Sequence, residues 1–173
     1  MRPWLIPVLL ASGGPVAAQE KVVEIREEIV VSASLAEVWD SLTTDRGVAG
    51  WMGDSATIEL RIGGLYEVRH KPQELTEEEK KLAEGEKASL SGMRKTHVLS
   101  YIPLQMLSYE GGMEGTWNVW LLDEISPWRV RVRHVGLGTS DVWARMAPMF
   151  EKAMNGVLAK LPPYLEKKSP LGR

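Results

Sequence analysis

Residues 22 to 32 alternate, with Val23, Ile25, Ile29 and Val31 on one side and Glu24, Arg26 and Glu28 on the other, the period of a strand with one buried face. Glu27 falls on the apolar side. Ser34 and Glu37 then make a capping box, and Leu35, Val38, Trp39 and Leu42 follow at i, i+3, i+4 and i+7, which predicts a short amphipathic helix from Ser34 with Trp39 as its core anchor. Ala56, Ile58, Leu60 and Ile62 alternate with Thr57, Glu59 and Arg61 before Gly63-Gly64, so a hairpin with Leu65 to His70 is expected. Two registers compete there. A strict two-residue turn sets Leu65 and Glu67 beside Ile62 and Leu60, whereas a glycine bulge sets Tyr66 and Val68 there and buries the better residues.

Residues 71 to 92 break the pattern, with a second capping box at Thr76 and Glu79, a charged helical stretch from Glu77 to Ala83, and Gly85 to end it. A solvated excursion is the expectation, with a lid over a cavity mouth as the functional alternative. Strands resume at Arg94 to Ile102, Gln105 to Tyr109, Thr116 to Leu122 and Trp128 to Val135, joined by short turns, which is the pattern of an antiparallel meander. In the last of these, Val130, Val132 and His134 alternate with Arg129, Arg131 and Arg133, so one face is buried and the other wet. After Gly136 and Gly138, Asp141 or a neighbour caps a long helix whose apolar positions Trp143, Met146, Phe150, Ala153, Val157 and Leu161 keep spacings of three and four. Pro148 lies inside it and is expected to kink it near Ala144. Pro162-Pro163 is expected to stop it, with a frayed tail beyond Tyr164.

Composition agrees with one globular domain. The 173 residues are 44% hydrophobic and 25% charged, and 21 Lys and Arg against 23 Asp and Glu leave a net charge of -2, with no footprint for nucleic acid. Residues 1 to 18 read as an export signal, from Arg2 through the apolar stretch Trp4 to Ala11 to the small residues Val16-Ala17-Ala18 before Gln19. That apolar stretch is far shorter than the roughly 20 residues a bilayer span needs, so no stable membrane anchor is expected. Residues 19 to 173 would then form the mature domain, in the periplasm or secreted. The absence of Cys excludes disulfides, thiolate catalysis and thiolate-bound metal.

The order strand, short helical region, meander and long terminal helix is one way to bury the inner face of a sheet. Particular residues go further. Val30 through Ala33, Val38-Trp39, Leu42-Thr43, Trp51 and Gly63-Gly64, then Val98-Leu99-Ser100-Tyr101-Ile102-Pro103 with Met106-Leu107-Ser108, resemble the chaperone ATPase activator homologue-like branch of the SRPBCC superfamily, and Trp143 and Phe150 fit it too. The resemblance covers about Val22 to Leu165. It implies an α+β, helix-grip fold: a curved antiparallel sheet of six to seven strands around a long C-terminal helix. It also implies a pocket for a lipid-like or aromatic ligand. Members include carriers, cyclases, hydroxylase components and chaperone regulators, so the fold does not select one activity.

Candidate chemistry is sparse. His70, His97 and His134 lie on different predicted strands without metal-ligand spacing, so no metal and no cofactor are expected. His134 points inward by alternation, as either a ligand-binding or proton-transferring imidazole or a hydrogen-bonded core residue. Glu27 also points inward, and a buried carboxylate needs a partner, a cavity water or a bulge that turns it outward. Trp117 shares one face of its strand with Val119 and Leu121, and Trp120 with Leu122 takes the other. Trp51, Tyr66, Tyr101, Met146, Met149 and Phe150 either fill the space between sheet and helix or line it as an adaptable apolar wall. No nucleophile arrangement is present, so no catalytic residue is assigned.

The reading preferred on these grounds is a binder of a small hydrophobic or amphipathic molecule held by Glu27, Trp51, Tyr66, Tyr101, Trp117, His134, Met146, Met149 and Phe150. A cyclase- or hydrolase-like enzyme using the same cavity, and a protein-interaction or chaperone-regulating module, are the alternatives. A void of several hundred Å³ lined by apolar side chains with a few polar groups is the signature that favours binding.

Overall fold

The computed structural model describes residues 21–70 and 95–168. The expected export segment at 1–18 and the charged excursion at 71–92 lie outside the described residues. Strand β1 (Val23–Val31) is followed by helices α1 (Leu35–Thr43) and α2 (Asp45–Ala49), strands β2 (Ser55–Ile58) and β3 (Tyr66–Arg69), the meander β4 (Val98–Ile102), β5 (Met106–Glu110), β6 (Thr116–Ser126) and β7 (Arg129–Gly138), and helices α3 (Asp141–Leu158) and α4 (Leu161–Lys168). The larger sheet has five strands in the order β1-β7-β6-β5-β4, every neighbouring pair antiparallel, and β2 pairs with β3 in a second, two-stranded sheet. This is the α+β helix-grip arrangement.

Capping follows the sequence closely. Ser34 Oγ accepts from the Glu37 backbone N–H at 3.3 Å while Glu37 Oε2 accepts from the Ser34 N–H at 2.9 Å, so α1 starts on a complete capping box. Ser140, the neighbour of Asp141, caps α3 by accepting from the Trp143 N–H at 3.1 Å. The small helix α2 was not expected; Thr44 caps it, and its side chain accepts from the Gly47 N–H at 3.0 Å.

The hairpin at Gly63-Gly64 differs from the expected tight turn. Strand β2 ends at Ile58, which pairs with Tyr66 as Ala56 pairs with Val68, and Ile62 is exposed in the connection between them. Tyr66 and Val68 are the inward residues, as preferred, but no bulge puts them there. The glycines bond to β4 instead: Gly63 N–H donates to Val98 O and Val98 N–H to Gly64 O, each at 2.8 Å. Gly63 has φ +74°, and a Cβ on Gly64 would strike the Glu59 and Arg61 carbonyls, so both positions require glycine. This segment is what ties the small sheet to the large one.

The C-terminal end also departs from expectation. Pro162-Pro163 does not stop the helical region; it occupies the first turn of α4, where a missing N–H costs nothing, and Leu161 and Leu165 of α4 are buried. The chain past Tyr164 is therefore docked rather than frayed as far as Lys168. Along α3 the buried stripe runs Trp143, Met146, Ala147 and Leu158, with Phe150, Met154 and Val157 partly buried; Ala153 is exposed, and Met154 takes the inward place expected of it.

The inner face of the large sheet carries two separate apolar clusters. The larger joins Val31, Trp120, Leu122, Val130 and Val132 of the strands to Val38 and Leu42 of α1, Trp51, Tyr66, and Leu158, Leu161 and Leu165 of the C-terminal helices. The smaller joins Ile25, Trp143 and Ala147, with Val23, Met113 and Phe150 packed against them. Trp143 fits because Gly138 faces it: a Cβ there would collide with the indole, and one on Gly136 would lie 2.7 Å from the Ile25 side chain. The two glycines at the end of β7 let the first turns of α3 lie close against the sheet.

Candidate functional site

Between the two clusters the sheet's inner face is polar. Glu27 of β1 is directly opposite His134 of β7, and the register between these strands is unbroken from Val23 to Val31, so no bulge turns Glu27 outward. Asn118 of β6 is opposite Gly136 and therefore diagonal to His134, within reach across the pleat. His134 Nδ1 lies 2.9 Å from Glu27 Oε2 and Nε2 lies 3.0 Å from Asn118 Oδ1. The Glu27 and His134 side chains are each 1% exposed. The two residues are separated by 107 positions in the chain.

Glu27 Oε2 engages one nitrogen of the His134 ring, Nδ1. Asn118 Oδ1 faces Nε2, so the ring is engaged at both nitrogens. The Trp120 ring covers one side of the imidazole at a centroid distance of 4.6 Å. Glu27 Oε1 meets no donor among the described residues.

Beside this row lies a partly open pocket of about 100 Å³. Its polar end is Asn118 and His134. Its walls are Ile25 of β1, Trp143, Phe150 and Met154 of α3, Thr116 and Trp117 of β6, and the Gly111-Gly112-Met113 turn between β5 and β6. Most of the local polar groups are already engaged: Thr116 Oγ1 donates to Met113 O at 2.7 Å, and Trp143 Nε1 to Val23 O at 2.9 Å. The Trp143 and Phe150 rings are 5.4 Å apart and tilted, so together they form an aromatic wall. The volume is below the expected several hundred Å³ because the larger cluster fills the rest of the concave side.

Of the nine residues singled out from sequence, Trp117, His134 and Phe150 line this pocket, and Glu27 stands behind His134. Trp51 and Tyr66 lie in the larger cluster: Trp51 Nε1 donates to Ser41 O at 2.9 Å and packs edge-on against Trp120, and Tyr66 Oη donates to Leu42 O at 3.0 Å. Tyr66 stacks on Tyr109 at 4.0 Å, and burial pushes both phenols up, Tyr66 well above its usual value and Tyr109 to about 12. Tyr101 packs on the outside of that cluster, and Met146 and Met149 do not reach the pocket. Sequence reasoning missed Asn118 and Trp143 as lining residues. Asn118 shares its face of the strand with the buried Trp120 and Leu122, but apolar residues on both faces of β6 hid which face was inward.

The other histidines stand apart. His97 Nδ1 contacts Glu110 Oε2 at 2.8 Å in a half-exposed pair, and His70 is exposed just past β3. Among the described residues no three His, Cys, Asp or Glu side chains are placed to hold a metal ion. No described helix is long and apolar enough to cross a membrane.

The chain matches no family model and no curated protein sequence. Solved structures do resemble it. Protein MLL2253 from Mesorhizobium loti superposes with a TM-score of 0.63 at 14% identity, over 85% of this chain and 99% of its own. The Aha1 dimer from Colwellia psychrerythraea gives 0.60 at 19% identity, over 87% and 98%. An AHSA1-like protein from Rhizobium etli gives 0.56 at 18% identity, over 82% and 81%. The likeness is one of fold, and it is the SRPBCC, Aha1-like fold that the sequence resembles.

Proposed function

We propose that this protein binds a small hydrophobic or amphipathic molecule in the pocket between α3 and strands β1, β6 and β7. The observation that carries the reading is an apolar, aromatic-walled hollow that ends on a buried Glu27–His134–Asn118 row. Ligand sites combine an apolar lining with a few placed polar groups in this way. The size limits the ligand: a cavity of roughly 150 Å³ accommodates benzene, so a long acyl chain would not be enclosed here. Titration with benzene should shift the Trp143 indole N–H resonance, and Phe150→Trp, which fills the pocket, should abolish the shift. No shift at millimolar benzene, together with adduct-free protein in native mass spectrometry, would overturn the reading.

Proton-transfer catalysis by His134 backed by Glu27 is the second reading, favoured by the same buried pair. It ranks lower because Asn118 occupies Nε2, leaving no ring nitrogen open to a substrate. Residues 1–18 are proposed to direct export; a mature N-terminus at Gln19 in the exported fraction supports this, and an intact Met1 there opposes it.

A further inference from the structure

The way Asn118 is held points to the kind of molecule the pocket selects, an inference that rests on the binding reading above. Asn118 offers one acceptor and two donor hydrogens, and its acceptor is committed to His134 Nε2 at 3.0 Å. The amide nitrogen is thus left over, no described residue engages it, and Asn118 is half-buried in the pocket lining. A donor in an apolar hollow favours an acceptor on whatever enters.

We propose that the pocket takes small, neutral carbonyl compounds, with the carbonyl oxygen accepting from Asn118 Nδ2 and the hydrocarbon part against Trp143, Phe150 and Met154. A carboxylate is disfavoured, because the pocket lining holds no Lys or Arg to offset a buried negative charge. A hydrocarbon of the same shape is disfavoured because it would strip water from the amide without replacing its hydrogen bond. Glu27 and His134 act here as positioning residues: they set which end of the Asn118 amide faces the pocket.

The test compares cyclopentanone with methylenecyclopentane, which share a shape and differ in the oxygen. On the intact protein, titrations followed at the Trp143 indole N–H should show cyclopentanone binding roughly fivefold to tenfold more tightly, the worth of one net hydrogen bond. Asn118→Asp keeps an oxygen for His134 and removes the amide donor, so it should remove the preference. Asn118→Leu, with folding checked by circular dichroism, should likewise remove it. Equal binding of both probes to the unaltered protein overturns this inference and leaves the binding reading standing. A preference that survives in both variants overturns the role of Asn118, and failure of both probes to bind overturns the binding reading itself.

Discussion

The two ends of the sheet's inner face differ in which partner supplies the bulk. Toward α1 and α4 the strands themselves carry Trp120, Leu122, Val130, Val132 and Val31, which interlock with Trp51, Tyr66 and Leu42 and leave the space filled. Toward the first turns of α3 the same strands carry Thr116, Gly136, Gly138 and Ile25, and the helix must supply Trp143 and Phe150 to meet them. Side chains reaching from one layer only do not close the gap, and the pocket is what remains. Between the ends, Glu27, His134 and Asn118 occupy the middle of β1, β7 and β6, so the polar row marks where filled core gives way to open pocket. The lesson is that a helix-grip fold does not by itself decide whether its hollow is occupied; the size of a few inward strand residues does.

That contrast can be tested hardest at its two extremes. Trp120→Ala should cost about 3–5 kcal/mol in urea unfolding, whereas Phe150→Ala, half-buried beside open space, should cost about 1–2 kcal/mol. Equal costs would erase the distinction between the two ends. At the boundary, His134→Leu should also cost about 3–5 kcal/mol, because it strands a buried carboxylate, and combining it with Glu27→Leu should recover most of the loss. A double variant as unstable as the single one would show that the row is not held as a pair.

Smaller effects sharpen the picture. Gly138→Ala should cost about 1–3 kcal/mol and displace the Trp143 indole, read as a change in its fluorescence, because the added Cβ meets the ring. Tyr66 and Tyr109 supply a pH dependence confined to the filled end. Their folded-state pKa values are raised by burial, so the unfolded chain loses these protons first. The stability they contribute is complete below about pH 10 and is lost as pH rises toward about 12, on the order of 1 kcal/mol per pH unit for each group. Phenolate absorbance appearing with an ordinary midpoint in folded protein would contradict this. Ser34→Ala should cost about 1 kcal/mol through loss of the α1 cap, with no change at the pocket.

Several features were legible in local patterns. The capping box at Ser34, the alternation of β1 and β7, the meander and the stripe along α3 follow from periodicities of two and 3.6. The inward direction of both Glu27 and His134 was legible for the same reason, since a strand side chain's face depends only on its neighbours in sequence. Local spacing failed where partners were distant. Gly63-Gly64 read as a turn between its own flanking strands until Val98 took its hydrogen bonds, and Pro162-Pro163 read as an end until Leu165 found a core to bury it.

The sequence by itself thus determined the element types, their order, the resemblance to an SRPBCC fold and the faces that Glu27 and His134 occupy, because each is set by short-range sterics and alternation. Only the tertiary structure decided that those two side chains meet, that Asn118 joins them, and that the hollow stays open at one end and not the other. Pairing across 107 residues depends on strand register, and the volume left over depends on how side chains from three layers add up, which no local pattern encodes.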